Sequence, residues 1–234
     1  MTTNLLIEGA GETSGFVRVE GDAYRHLFRA RRLAAGDAVR VVDGKGGAWS
    51  ARVASVGRSS AEIEVVGPVT AGEPARRLEV WAAPPKIGRA AWMVEKLTEL
   101  GATAIHFCRA ERSAREYGDG NLERLRRVAR AAVEQSGRSV VPAVTGVCSW
   151  EETLAGVARA PEVWLLDAAS GTSAPVARES LLALLVGPEG GWTPRDLEGI
   201  LPLVPERVSL GATTLRTETA AVAGAALALA EPAR

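Results

Sequence analysis

Leu184-Leu185-Val186-Gly187-Pro188-Glu189-Gly190-Gly191-Trp192-Thr193-Pro194 is the stretch on which the reading of this chain turns. An apolar segment of strand length gives way to a glycine-rich loop, and the loop to a helix start. Thr193 is a hydroxyl cap, Pro194 stands in the first turn, and Asp196 supplies a carboxylate at the third position. Glycines in such a loop let backbone groups approach a ligand with no side chain between them. Further on, Ser209-Leu210-Gly211-Ala212-Thr213-Thr214-Leu215-Arg216-Thr217-Glu218-Thr219-Ala220 has the same form: a short apolar segment, a turn of small polar residues, then a helix. Together the two loops predict one ligand pocket built from both. The first loop has no Lys-Ser/Thr pair in register for a Walker phosphate loop and does not fit Gly-x-Gly-x-x-Gly. Taken alone, it is also compatible with a plain tight turn.

Outward from that run, strands and helices alternate. Residues 78–83, 104–108, 163–166 and 181–186 read as strands. Residues 87–100 read as a helix with Met93, Leu97 and Leu100 on one face and Gly101 as its stop, and Asn121 as the cap of a helix through Ser136. This alternation predicts a mostly parallel sheet covered by helices. Residues 1 to 70 differ. Short alternating strands at 16–19, 37–43, 48–53 and 61–66, with Gly44-Lys45-Gly46-Gly47 as a hairpin turn, predict a small β-barrel. Gly67-Pro68-Val69-Thr70-Ala71-Gly72-Glu73-Pro74 reads as a linker, giving domains at 1–72 and 73–234.

The chain is neutral overall, which speaks against indiscriminate nucleic-acid binding. The charge is uneven, however. Residues 76–140 carry 13 basic and 8 acidic side chains and residues 141–234 carry 6 and 11, so a local patch can still meet phosphate. The segment Tyr24-Arg25-His26-Leu27-Phe28-Arg29-Ala30-Arg31-Arg32 mixes four arginines with two aromatics; it suits phosphate contact and base stacking, or equally a solvated helix face. Arg124, Arg126, Arg127, Arg130 and Arg138 form a second basic set. The two cysteines, Cys108 and Cys148, have neither disulfide-framework nor zinc spacing and fit a reducing cytoplasm. His106 reads as a satisfied core residue. No metal site, membrane span or signal peptide is expected.

Several of these segments together resemble the RsmE family of 16S ribosomal RNA methyltransferases, in the SPOUT superfamily. They are residues 26–33 with Gly36-Asp37 and residues 43–47, Trp92-Met93-Val94-Glu95-Lys96-Leu97-Thr98-Glu99-Leu100-Gly101, Glu111-Arg112-Ser113, Glu134-Gln135-Ser136-Gly137-Arg138, Gly187-Pro188-Glu189-Gly190-Gly191-Trp192, and Leu210-Gly211 with Leu215-Arg216-Thr217-Glu218-Thr219-Ala220. The chain departs from the family at Ala212-Thr213-Thr214, where proline usually follows Leu-Gly, and at Ala90-Ala91, where a more polar pair is usual.

The resemblance implies an N-terminal PUA-like RNA-binding barrel and a C-terminal α/β domain with a deep trefoil knot. It implies S-adenosylmethionine (SAM) as methyl donor and a cytoplasmic homodimer. The implied reaction makes N3-methyluridine in 16S ribosomal RNA, free or in the 30S subunit, during ribosome biogenesis. Cofactor contacts are expected from Leu166, Gly187, Glu189, Gly190, Gly191, Leu210, Gly211 and Leu215. Arg216 is expected to stabilise charge on a uracil oxygen, and Glu218 to accept the N3 proton or orient Arg216. Glu218 also fits a carboxylate at a helix N-terminus, and Glu189 a loop brace. RNA contacts are expected from Arg25, His26, Arg29, Arg32, Lys86, Arg112 and Arg138. The alternatives are methylation at another RNA position, or a non-catalytic RNA-binding or ribosome-assembly protein.

Overall fold

The computed structural model describes residues 3–10, 15–30, 32–170, 175–203 and 205–230; the side chains of Asp22, His26, Arg29 and Ala30 are outside that description, as is Arg31. Two compact units emerge: Met1–Glu73 with Val133–Val141, and Pro74–Ala132 with Pro142–Arg234. The segment Val133–Val141 lies within the 73–234 stretch of sequence but belongs to the first unit.

The first unit is a five-stranded sheet in the order β1-β3-β4-β5-β2. Its strands are β1 (Thr3–Leu6), β2 (Phe16–Glu20), β3 (Ala38–Val42), β4 (Ala48–Val56) and β5 (Ser60–Pro68); helix α1 (Gly21–Tyr24) runs into a π-helical turn, Arg25–Ala30. β1 pairs parallel with β3, and the other pairs are antiparallel. The hairpin between β3 and β4 is held by Asp43, whose Oδ1 accepts the amides of Lys45 at 2.7 Å and Gly47 at 2.9 Å. Inward-facing Val39, Val41, Val53 and Ile63 build the core with Leu5 and Leu27. Tyr24 and Phe28 join this core. They are buried and stacked on each other with centroids 5.4 Å apart, so these aromatics are packing residues and not a base-stacking platform.

The unit is closed by a buried ion pair. The Glu73 carboxylate accepts from Arg138 Nη2 at 2.7 Å and Nε at 3.0 Å, and from the amides of Ser139 at 2.6 Å and Val140 at 3.0 Å. Burial alone pushes the Glu73 pKa up, but the Arg138 guanidinium and the two backbone donors outweigh it and hold the carboxyl below its ordinary value.

The second unit contains β6 (Arg77–Ala82), α2 (Ile87–Leu100), β7 (Ala104–Cys108), α3 (Asp119–Ser136, its end counted with the first unit), β8 (Ala143–Cys148), α4 (Trp150–Val157), β9 (Glu162–Leu166), β10 (Leu181–Val186), α5 (Pro194–Ile200), β11 (Glu206–Val208) and α6 (Thr217–Leu229). The six strands form one parallel sheet, β11-β9-β10-β6-β7-β8. β10 is apolar throughout because both faces of the sheet are covered: Leu182, Leu184 and Val186 enter one core, Ala183 and Leu185 the other.

Two glycines set how closely helices sit on this sheet. At Gly224 of α6 a Cβ would lie 3.0 Å from Leu166 Cδ1 and 3.1 Å from Leu184 Cδ2; at Gly156 of α4 it would lie 2.2 Å from the Trp81 ring. Trp81 also stacks on His106, with centroids 3.9 Å apart. His106 Nδ1 shares a hydrogen bond with Thr145 Oγ1 at 3.0 Å. Burial, aided by the charge of Arg159, lowers the His106 pKa to about 4, so this is a neutral packing residue at pH 7.

Some sequence expectations need correction. Asn121 is not the cap of α3, which begins at Asp119, and the linker starts later than Gly67 because β5 runs to Pro68. β1, β8, α4 and β11 were not read from the sequence. β1 and β11 have four and three residues, too few to show a period. Among the described residues no helix is long and apolar enough to cross a membrane, and no group of His, Cys, Asp and Glu is placed to hold a metal ion.

Gly156→Ala tests the packing. Helix propensity alone favours alanine by up to about 1 kcal/mol, but the clash with Trp81 should dominate and cost about 1–3 kcal/mol in urea denaturation. Glu73→Gln should leave Arg138 buried without its counter-charge and cost about 3 kcal/mol at pH 7. Because the folded pKa of Glu73 is depressed, the parent's advantage is present above the ordinary carboxylate pKa. It should disappear as pH falls through the folded value, which denaturation curves across the acid range would record.

Candidate functional site

The C-terminal ends of β9, β10 and β11 lead into three loops, residues 166–169, 187–192 and 209–216, and these enclose a cavity of about 400 Å³. Open parallel sheets place ligands at this edge because loops with free backbone groups gather there. The cavity wall is largely apolar, with Leu166, Val186, Val208, Leu210, Leu215 and Ala220. Each loop is tied to its neighbours. Trp192 Nε1 donates to the Leu166 carbonyl at 3.0 Å, and Thr217 Oγ1 to the Gly187 carbonyl at 3.0 Å. Asp167 accepts from Arg207 Nε at 3.1 Å and from the amide of Ala169 at 2.9 Å. A side chain at Gly187 would begin 3.0 Å from the Trp192 indole, and Gly211 holds a φ of 123° that other residues rarely adopt.

Two clefts lined by cationic residues adjoin this cavity. An adjoining cleft shares Glu189, Thr214 and Leu215 with it and is lined by Lys86, Arg89 and Arg216. On another side, a cleft of about 210 Å³ is lined by Arg112, Arg115, Pro84, Pro85 and Gly190. Arg89, in the first turn of α2, bridges two carboxylates: Nη1 donates to Glu189 Oε1 at 3.1 Å, and Nε pairs with Glu218 Oε1 at 3.4 Å. The Glu218 side chain is only 7% exposed, and its Oε2 is buried with no hydrogen-bond partner among the described residues.

Seven of the eight residues expected at the cofactor line the apolar cavity together: Leu166, Gly187, Glu189, Gly191, Leu210, Gly211 and Leu215. Gly190 faces the Arg112 cleft, where its carbonyl accepts from Arg112 Nη1. Arg216 is exposed and lines the cationic cleft with Lys86. The ion-pair partner of Glu218 is Arg89, which the sequence reading missed, and not Arg216. Arg25 and Arg32 are exposed; the side chains of His26 and Arg29 lie outside the described residues. Arg138, expected at the RNA, is 3% exposed and paired with Glu73, which leaves no guanidinium surface for a phosphate. Trp192 was quoted only as part of the motif, Thr217 only as part of a helix start, and Asp167 and Arg207 were not singled out. Each acts through a partner distant in sequence, which local pattern does not reveal.

Comparison with known proteins places these features. Residues 72–229 match the model of an RNA methyltransferase domain, and residues 19–66 that of an RNA methyltransferase PUA domain. A Mycobacterium bovis relative named ribosomal RNA small subunit methyltransferase E is 32% identical over 224 residues, covering 90% of this chain and 84% of the relative. The chain belongs to the ribosomal RNA small subunit methyltransferase E family. A Synechocystis member with that name is 30% identical over 211 residues, covering 83% of this chain and 66% of the relative's own length. The crystal structure of a Neisseria gonorrhoeae methyltransferase E bound to S-adenosyl methionine superposes with a TM-score of 0.85 at 27% identity, covering 97% of this chain and 96% of that one.

In this family member, Trp192→Phe should lose both the bond to Leu166 and the part of the indole that packs on Gly187. We expect a loss of about 1–3 kcal/mol in global stability by urea denaturation, with faster amide exchange concentrated in residues 187–192.

Proposed function

We propose that this chain transfers a methyl group from SAM to N3 of a uridine in 16S ribosomal RNA. The observation that carries the reading is the convergence of the three loops on one apolar cavity in a chain of the methyltransferase E family. The cavity fits the cofactor: its volume is in the range of small-molecule sites, its wall is mostly apolar, and its glycine backbone leaves room for close approach. Leu166, Gly187, Gly191, Leu210, Gly211 and Leu215 would hold SAM, with Glu189 at the rim and Gly190 bracing the loop through Arg112. When bound, SAM supplies a methyl carbon on positively charged sulfur, and the pair of the breaking bond stays with sulfur.

The protein's own part is proton handling and orientation. Uracil N3 must lose its proton to become a nucleophile, and Glu218 is the group we assign to take it. Arg216 meets the negative charge spreading onto a uracil oxygen. The clefts of Lys86 and Arg112, on the two sides of Glu189, receive the phosphates that flank an extruded uridine. Arg25 and Arg32, with His26 and Arg29 of the same segment, are the RNA contacts we assign to the first unit.

We also assign residues 1–72 to a PUA-like RNA-binding barrel and residues 73–234 to a methyltransferase domain whose chain from β9 to α6 forms a deep trefoil knot. The family matches at 19–66 and 72–229 support this division. The chain acts in the cytoplasm as a homodimer. The exposed Trp92 of α2 and Leu227 of α6, on helices that pack together, support an apolar face for a second copy.

Calorimetric titration should give micromolar SAM binding with ATP inert. Incubation of the protein and SAM with 30S subunits lacking the modification should yield N3-methyluridine on nucleoside analysis. A different methylated nucleoside would reject the N3 assignment, and no SAM binding would reject the enzyme reading.

A further inference from the structure

The arrangement around Glu218 has a physical cost that asks for a purpose. A carboxylate taken out of water loses its solvation, and a buried acceptor left unpaired adds to that cost. Buried polar groups are nearly always hydrogen-bonded, and exceptions concentrate where chemistry is done. Glu218 is such an exception, and an asymmetric one. Oε1 faces Arg89 Nε at 3.4 Å, while Oε2 is buried and bare among the described residues. The other arm of the same guanidinium holds Glu189, which lines both the apolar cavity and the cationic cleft. One planar fork therefore fixes a carboxylate of α6 and one of the loop after β10.

The geometry points to Arg89 as a positioning residue that holds Glu218 through Oε1 and so keeps Oε2, unpaired among the described residues, for the proton of the methyl acceptor. This deepens the reading above and rests on Glu218 serving the N3 proton. Arg89 touches neither substrate nor cofactor in this role. It turns the carboxylate and fixes one of its oxygens. The N3 proton passes to Oε2, and the N3 electron pair is left for the new bond to carbon.

The experiment uses the full-length protein with SAM and 30S subunits. Arg89→Ala should lower kcat about 100-fold, the scale of a general-base contribution. The KM for 30S and the calorimetric affinity for SAM should stay near the parent's. Arg89→Lys keeps a charge but not the fork and should recover part of kcat; it also serves if Arg89→Ala does not fold. In a Glu218→Gln background, Arg89→Ala should change neither kcat nor the urea midpoint much further, since the two side chains act as one unit. Losses that multiply, independent shifts in midpoint, or full turnover by Arg89→Ala would overturn the positioning role. If Glu218→Gln is inactive and Arg89→Ala is not, the positioning fails and the proton assignment stands. If Glu218→Gln turns over normally, the proton assignment fails and takes the positioning with it. Should the parent transfer no methyl group, the urea midpoints of the two single variants and the double variant still decide whether the residues are coupled.

Discussion

Burial of both faces of a six-stranded parallel sheet is the constraint from which the rest of the second unit follows. β10 is covered on one side by the core that includes α6 and on the other by the core that includes α4, so it can carry no polar side chain. Backbone groups inside the sheet are used up by neighbouring strands. The places left for polar recognition are the strand ends, and there the glycine-rich loops gather. Gly224 and Gly156 serve the same constraint from outside, since each removes the Cβ that would lift a helix off the sheet.

Two arginine–carboxylate pairs in the chain show what a buried charge can be used for. Glu73 and Arg138 form a closed set in which both carboxylate oxygens are engaged and two backbone amides complete the shell. Such a pair ties chain segments distant in sequence within one unit. Arg89 and Glu218 form an open set: one carboxylate oxygen is paired at longer distance, the other is bare among the described residues, and the same guanidinium reaches a second carboxylate that lines the cavity. A closed pair suits structure and an open one suits chemistry, because only the open pair keeps an acceptor unused.

The apolar cavity and its charged surroundings divide the work in the same sense. The wall around the cofactor position selects by shape and close backbone approach, and its charged residues are paired, Asp167 with Arg207 and Glu189 with Arg89. Cations stand on both flanks, Lys86 and Arg216 in one cleft, where Arg89 is already engaged by Glu189 and Glu218, and Arg112 and Arg115 in the other. Cations gathered locally, where an anionic polymer would lie, fit a chain that is neutral overall.

Much of this was legible in the sequence. The continuous apolar run of β10, the Thr193 cap with Pro194 and the glycine loop gave the strand, the helix start and the site, because each depends on residues close together in the chain. The alternation of strands with helices gave the α/β class, and the quoted motifs gave the family. The sequence did not reveal which arginines are spent internally. Arg138 and Arg89 carry the same side chain as their solvent-facing neighbours, and only the fold brings Glu73 to one and Glu189 with Glu218 to the other. Nor could it tell that Tyr24 and Phe28 face the core. The sequence by itself determined most of the longer elements and the glycine loops, because capping, periodicity and backbone freedom are local. Tertiary structure alone decided the partner of each buried charge, since a carboxylate is paired or left bare by residues tens of positions away.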